Sequence, residues 1–329
     1  MSEAPLTTLS VVAPCFNEAD SLPEFYRRVR EACCSTPSKS YEIVLVDDGS
    51  RDATWAIMSG MARLDPNVVA IKLSRNHGHQ LALTAGLHYC RGERVLIIDA
   101  DLQDPPELLP AMLKLMDESR AEVVYGKRRS RAGETRLKIF TAARFYLLLQ
   151  RLTDVPIPED SGDFRLMSRR AVDVLNDMPE HYRFIRGMVS WIGMKQLPFV
   201  YDRSARFAGQ TKYPISKMIR FAIDAITGFS IVPLRVASFL GVSVGLVGLL
   251  LLTYTLGSWA FGRVVEGWTS LSSIFLIVSS AQLLVLGCIG EYLGRLYVES
   301  KHRPLFVVED TISTGNRREF QDHAQTKPV

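Results

Sequence analysis

As far as Tyr125 the chain alternates short apolar runs with stretches of helical periodicity. Leu9–Ala13 is a run closed by Pro14, and Tyr41–Val46, Val68–Leu73, Val95–Ile98 and Glu122–Tyr125 repeat the form. Continuous runs this short, rich in Val and Ile, read as buried strands. Helical patterns fall between them: after Ser21, from Asp52 to Leu64, from about Gln80 to Cys90, and from Glu107 onward. Ser21-x-x-Glu24 has the spacing of a capping box at the first helix. Strands alternating with helices of this length imply right-handed crossovers and a mainly parallel sheet covered on both faces, an α/β domain.

Beyond Thr135 the pattern changes. Thr135–Leu152 sets Leu137, Phe140, Tyr146, Leu147 and Leu148 among Arg136, Lys138, Arg144 and Arg151. Ser216–Phe229 repeats it with Met218, Ile219, Phe221, Ile223 and Ile226 beside Lys217 and Arg220. Each pattern suits a core helix with basic ends or a helix lying in a membrane interface. The second leads directly into an apolar stretch, which favours the interface. No charged residue occurs between Arg235 and Arg263, nor between Glu266 and Glu291. Either stretch is long enough as a helix to cross a ~30 Å hydrocarbon layer. The short turn between them makes a hairpin. Arg235, Arg295, Lys301 and Arg303 at its outer ends put both chain termini in the cytoplasm by the positive-inside rule. Neither stretch carries a charge, which argues against a transport pathway within the chain.

After the hairpin, Pro304–Val308 reads as a strand, followed by a polar tail from Thr311. A lone strand either joins the sheet or pairs with another subunit, and a homo-oligomer is expected. The expected boundaries are a core at 1–134, an acceptor-side and interfacial segment at 135–233, the hairpin at 234–295 (spans about 236–261 and 268–292) and a cytoplasmic strand and tail at 296–329.

Composition changes little in this picture. Hydrophobic residues make up 47% of the chain and charged ones 22%, as in a globular average, but the apolar share concentrates near the C-terminus. The formal net charge is +4 at pH 7. Much of it lies between Lys127 and Arg151 and in the last third, which fits an anionic membrane surface and not a nucleic-acid groove. Cys15, Cys33, Cys34, Cys90 and Cys288 show no paired spacing, so they read as reduced thiols. No signal peptide is visible in Met1–Ser10.

The candidate chemistry lies where strands end. Asp47-Asp48 ends the second run, and Asp99-Ala100-Asp101-Leu102-Gln103-Asp104-Pro105-Pro106 follows the fourth. Ligands of open α/β sheets bind beyond the carboxyl ends of the strands, so these acids and the loop Ser74–His79 share one edge. Such an acidic cluster is either a solvated turn or a site for a hard cation carrying phosphate oxygens, Mg²⁺ or Mn²⁺. Neither Gly-x-Gly-x-x-Gly nor a P-loop motif is present, so phosphate would be held by metal and side chains.

Taken together, Val12–Glu18, Val46–Ser50, Asp99–Pro106, Ser161–Leu166 and Thr211–Pro214 resemble the GT-A-fold polyprenyl-phosphate glycosyltransferases. The likeness is nearest to the bactoprenol glucosyltransferases, with dolichol-phosphate mannose synthase and the aminoarabinose transferases as relatives. It implies a GT-A nucleotide-diphospho-sugar transferase sheet domain, with interfacial helices and a transmembrane hairpin, at the bacterial inner membrane. The implied activity is inverting, metal-dependent transfer of a hexose from a nucleotide sugar to undecaprenyl phosphate. UDP-glucose is the first donor. UDP-galactose, a UDP-N-acetylhexosamine, a UDP-aminoarabinose derivative and GDP-mannose stay open, as does a non-catalytic membrane scaffold. By position, Asp101 and Gln103 would bind Mg²⁺ or Mn²⁺, with Asp99 on the nucleotide or metal side. Pro14, Asn17, Glu18 and Asp48 would lie around the nucleoside. Asp163 would orient the acceptor or take its proton, Arg165 would balance charge, and Arg206 and Lys212 would hold phosphate. The loop Arg75-Asn76-His77-Gly78-His79 departs from the family's usual Arg-Asn-Phe-Gly-Lys, and Gln210 stands where the family often has Glu.

Overall fold

A computed structural model describes residues 8–37, 40–129, 161–202, 227, 230, 232–261 and 267–314. The expected interfacial helix at 135–152, that at 216–229 except for residue 227, residues 262–266 of the hairpin turn, Arg206 and Lys212 lie outside the described residues. The elements in order are β1 (Leu9–Cys15), α1 (Leu22–Cys34), β2 (Tyr41–Asp47), α2 (Thr54–Leu64), β3 (Val68–Leu73), α3 (His79–Tyr89), β4 (Arg94–Ile97), a 3₁₀ turn (Pro106–Leu108), α4 (Leu109–Ser119) and β5 (Val123–Arg128). Then come β6 (Ser161–Ser168), α5 (Arg169–Asp177), α6 (Ile185–Trp191), β7 (Gln196–Tyr201), α7 (Val232–Ala260), α8 (Trp268–Ser300) and β8 (Val308–Ile312).

The described residues form two compact units, the sheet with residues 303–314 in one, α7 and α8 in the other. The sheet has the strand order β7-β5-β6-β4-β1-β2-β3-β8. Six of these strands run one way; β6 and β8 run against them. Alternate residues of the central strands face opposite layers. Leu9, Val11, Ile43, Leu45 and Leu96 join α1 and α4 in one buried cluster. On the other face α3 lies so close that a Cβ on Gly86 would sit 2.3 Å from a Val12 methyl. In the second unit α7 and α8 pack on each other, and both are long and apolar enough to cross a membrane.

Three local expectations are corrected. Pro14 does not close β1, which runs on to Cys15 with Pro14 opposite Val46. In a parallel ladder alternate residues bond alternate neighbours. Val12 accepts from Ile98 on the β4 side, so Pro14 faces that side too, just past the last β4 pair. Its missing N–H therefore costs no ladder bond. The capping box does not form: the Ser21 hydroxyl bonds the Glu18 carboxylate at 2.6 Å, and Glu24 pairs with Arg27. The last strand is Val308–Ile312 and not Pro304–Val308. Glu309 reaches Lys72 across the pair at 2.9 Å while Phe306 packs edge-on against His88, so pairing to β3 sets the register over apolar content.

Candidate active site

The site edge is built by loops that hold one another. Asn17, at φ 55°, accepts from the Arg51 amide at 2.8 Å, and its own amide donates to Ser50 Oγ at 3.0 Å. The Glu18 amide donates to Thr54 Oγ1 at 2.9 Å. These bonds tie the loop after β1 to the loop after β2. Asp48 is buried, and its carboxylate accepts from the amides of His77 (2.7 Å) and Gly78 (3.0 Å), tying in the loop after β3. Burial raises its pKa although those amides pull the other way. Gly49 sits at φ 68°, and a Cβ there would stand 2.6 Å from the Asn76 nitrogen, so glycine is required twice over. Pro14, Asn17, Glu18 and Asp48 are thus gathered at one edge, and Asn17, Glu18 and Asp48 each have a structural task there.

The acidic stretch after β4 divides. Asp104 is buried and accepts a hydrogen bond from the Tyr201 hydroxyl, so this carboxylate faces inward and anchors the turn to β7. Asp99 and Asp101 stay partly exposed. Asp101 Oδ1 accepts from the Gln103 amide at 3.1 Å, around Leu102 at φ 60°. Among the described residues no group of three or more His, Cys, Asp or Glu could by itself hold a metal ion. One or two carboxylates and an amide oxygen are what Mg²⁺ takes from protein when diphosphate and water complete its shell, so Asp101 and Gln103 fit such a cation.

Asp163 reaches the same edge from β6. The antiparallel ladder ends with Ile97 opposite Arg165, and Asp99 and Asp163 each lie two residues beyond that last pair. His79 stands between them, with Nε2 2.8 Å from Asp99 Oδ1 and Nδ1 3.8 Å from Asp163 Oδ2. Desolvation works against the imidazolium, but Asp99 and Asp163 outweigh it and push its pKa up to about 9. Asp163 is 6% exposed. Arg186 grips it with Nε at 2.8 Å from Oδ1 and Nη2 at 3.3 Å from Oδ2. Gln80 Nε2 donates to Oδ2 at 3.1 Å while Gln80 Oε1 accepts from the Ile185 amide. Burial opposes the charge of Asp163, yet Arg186 first, then His79 and Arg165, hold its pKa well below the carboxylate range. Arg165 is buried too, its donors turned to the carbonyls of Asp163 and Gly162, and desolvation brings its pKa down to about 10.

The sequence reading placed Asp163 and Arg165 together but did not single out Gln80 or Arg186 and gave His79 no definite partner. Arg186 enters because Arg183, buried, donates to the carbonyls of Leu175 and Met178 and so fixes the chain between α5 and α6. The one signal in the sequence was a pair of arginines, Arg183 and Arg186, set in the apolar run around Phe184-Ile185-Gly187-Met188.

An α/β sheet with an acidic carboxyl edge is the architecture of nucleotide-sugar transferases of the GT-A type. The family model "Glycosyl transferase family 2" matches residues 10–175, and the chain belongs to that family. An uncharacterized glycosyltransferase of Bacillus subtilis (strain 168) is 44% identical over 95% of this chain and 97% of its own length. The bactoprenol glucosyl transferase of Shigella phage SfV is 39% identical over 92% of this chain and 98% of its own. A prophage bactoprenol glucosyl transferase homolog of Escherichia coli (strain K12) is 40% identical over the same shares. The protein is a glycosyltransferase, and the scaffold alternative is set aside.

Proposed function

We propose that the chain transfers a hexose from a nucleoside-diphosphate sugar, UDP-glucose before others, to undecaprenyl phosphate at the cytoplasmic face of a bacterial inner membrane. The observation that carries this is the convergence of Asp99 and Asp163 on His79, next to Asp101, in a chain with two helices long and apolar enough to cross a membrane. The relatives named bactoprenol glucosyl transferase support the lipid acceptor. Arg235, Arg295, Lys301 and Arg303 support cytoplasmic termini, and assembly as a homo-oligomer belongs to the same reading.

Asp101 and Gln103 would hold Mg²⁺ or Mn²⁺, with Asp99 alongside. When bound, such a cation supplies Lewis-acid neutralisation of the departing diphosphate. Pro14, Asn17, Glu18 and Asp48 line the loops proposed to receive the nucleoside. A phosphate oxygen of the lipid attacks the anomeric carbon as the bond from that carbon to the diphosphate breaks, inverting an α-linked donor to a β-linked product. A lipid phosphate is already an oxyanion at neutral pH, so the acceptor needs orientation more than deprotonation. Asp163 and Arg165 stand on the acceptor side, with Arg206 and Lys212 proposed to hold phosphate.

The test is a donor panel. Membranes carrying the full chain receive undecaprenyl phosphate with UDP-glucose, UDP-galactose, a UDP-N-acetylhexosamine, a UDP-aminoarabinose derivative or GDP-mannose. UDP-glucose is expected to give the highest yield of β-linked lipid sugar, and EDTA to abolish it. Greater turnover of another donor replaces the sugar. Turnover in EDTA removes the metal, and an α-linked product removes single displacement.

A further inference from the structure

We propose that Arg186 receives the phosphate of the lipid acceptor and that buried Asp163 is its anchor, so that Asp163 works as a positioning residue and not as a general base. This rests on the lipid-phosphate reading above. The geometry is that of a preset fork. Asp163 holds Arg186 through both carboxylate oxygens, at 2.8 and 3.3 Å. The guanidinium side chain nevertheless keeps 28% of its surface exposed, against 6% for Asp163. A planar guanidinium fixed from behind by a carboxylate is organised in advance to meet phosphate oxygens, with little rotamer freedom left to lose.

The surroundings of Asp163 fit an anchor. Gln80 occupies Oδ2 from α3 and is itself pinned to the first amide of α6, the helix that carries Arg186. His79 faces the carboxylate from α3, Arg186 from α6 and Arg165 from its own strand. A carboxylate that Arg186 above all holds ionised well below its ordinary pKa is a poor proton acceptor near neutrality. Such a group suits the fixing of a cation better than the removal of a proton.

Binding to the full chain in detergent, without donor, tests the idea independently of which sugar is transferred. The probe is farnesyl phosphate, with inorganic phosphate as a second arm, titrated by calorimetry into wild type, Arg186→Met, Arg186→Lys and Asp163→Asn. Loss of a charged hydrogen-bonding partner predicts about 10- to 100-fold weaker farnesyl phosphate binding in Arg186→Met. Arg186→Lys is expected to fall between that variant and wild type. Asp163→Asn is expected to weaken binding as well, because the fork loses its anchor, and inorganic phosphate is expected to bind far more weakly throughout. Equal affinity in wild type, Arg186→Met and Arg186→Lys would overturn the inference and leave the lipid acceptor intact. Unchanged binding in Asp163→Asn with collapsed turnover would also overturn it, restoring the base. No binding of farnesyl phosphate to wild type would remove the lipid-phosphate reading and the inference together.

Discussion

Two buried carboxylates occupy opposite edges of one sheet, and they are satisfied in opposite ways. Glu42, near the amino end of β2, accepts from the Ser10 hydroxyl and the Arg91 amide, both at 2.6 Å. The Ser10 oxygen in turn accepts from the Gly92 amide at 2.7 Å. All the donors in this chain of bonds are neutral, and it stitches three neighbouring segments together. Asp163, at the carboxyl edge, is held by Arg186 and Gln80 and faces His79. Neutral fixed donors make a joint that is finished when the protein folds. A joint made with a fixed, charged and partly exposed guanidinium presents that charge to an incoming anion.

That contrast is broken most directly by substitutions at either edge. Asp101→Ala, at the carboxyl edge, is expected to lower turnover about 100- to 1,000-fold while the loss of its bond to the Gln103 amide moves the melting temperature only slightly, measured by lipid-sugar formation and calorimetry. Glu42→Ala should do the reverse. Leaving the Ser10 hydroxyl and the Arg91 amide without acceptors costs about 2–4 kcal/mol of stability, while turnover per folded molecule holds. A fall in turnover with stability unmoved would erase the distinction between the edges. Tyr201→Phe strips a donor from buried Asp104 and is expected to cost about 1–3 kcal/mol in chemical denaturation.

His79 sharpens the comparison through pH. Its pKa is raised from 6.5 to about 9, so the stability it adds is complete below about pH 6.5 and is lost as pH rises through about 9. The melting-temperature gap between wild type and His79→Gln should therefore close over that window. The smallest effect belongs to Lys72→Ala. Its ion pair with Glu309 is partly exposed, and removal is expected to cost under about 1 kcal/mol.

The strands β1 to β4 were legible because each is buried on both faces and carries nothing but apolar residues across its middle. The crossing strand β6 was recognisable as a motif and invisible as a strand. Its residues Ser161-Gly162-Asp163-Phe164-Arg165 carry an acid and a base into the interior, against every propensity for a buried strand, because each finds a partner there. Asp99 and Asp101 were legible from their place after an apolar run. Arg186 was not, since its role depends on Arg183 tethering a short helix to the end of α5, a contact without sequence periodicity. Asp104 resembles its neighbours in the sequence, and its bond to Tyr201, far along the chain, accompanies its inward turn.

The strand β8 closes the sheet beside β3, yet it is encoded after both apolar helices. A ribosome delivers β1 to β7 first, then α7 and α8, and only then the residues that cover the exposed edge of β3. Ser74, at the start of the loop leading to His79, donates its amide to the Val307 carbonyl just before that strand. One wall of the site is therefore completed last, so a chain cut short within the hairpin would keep most of the acidic residues while leaving an open sheet edge and a loop short of one of its supports.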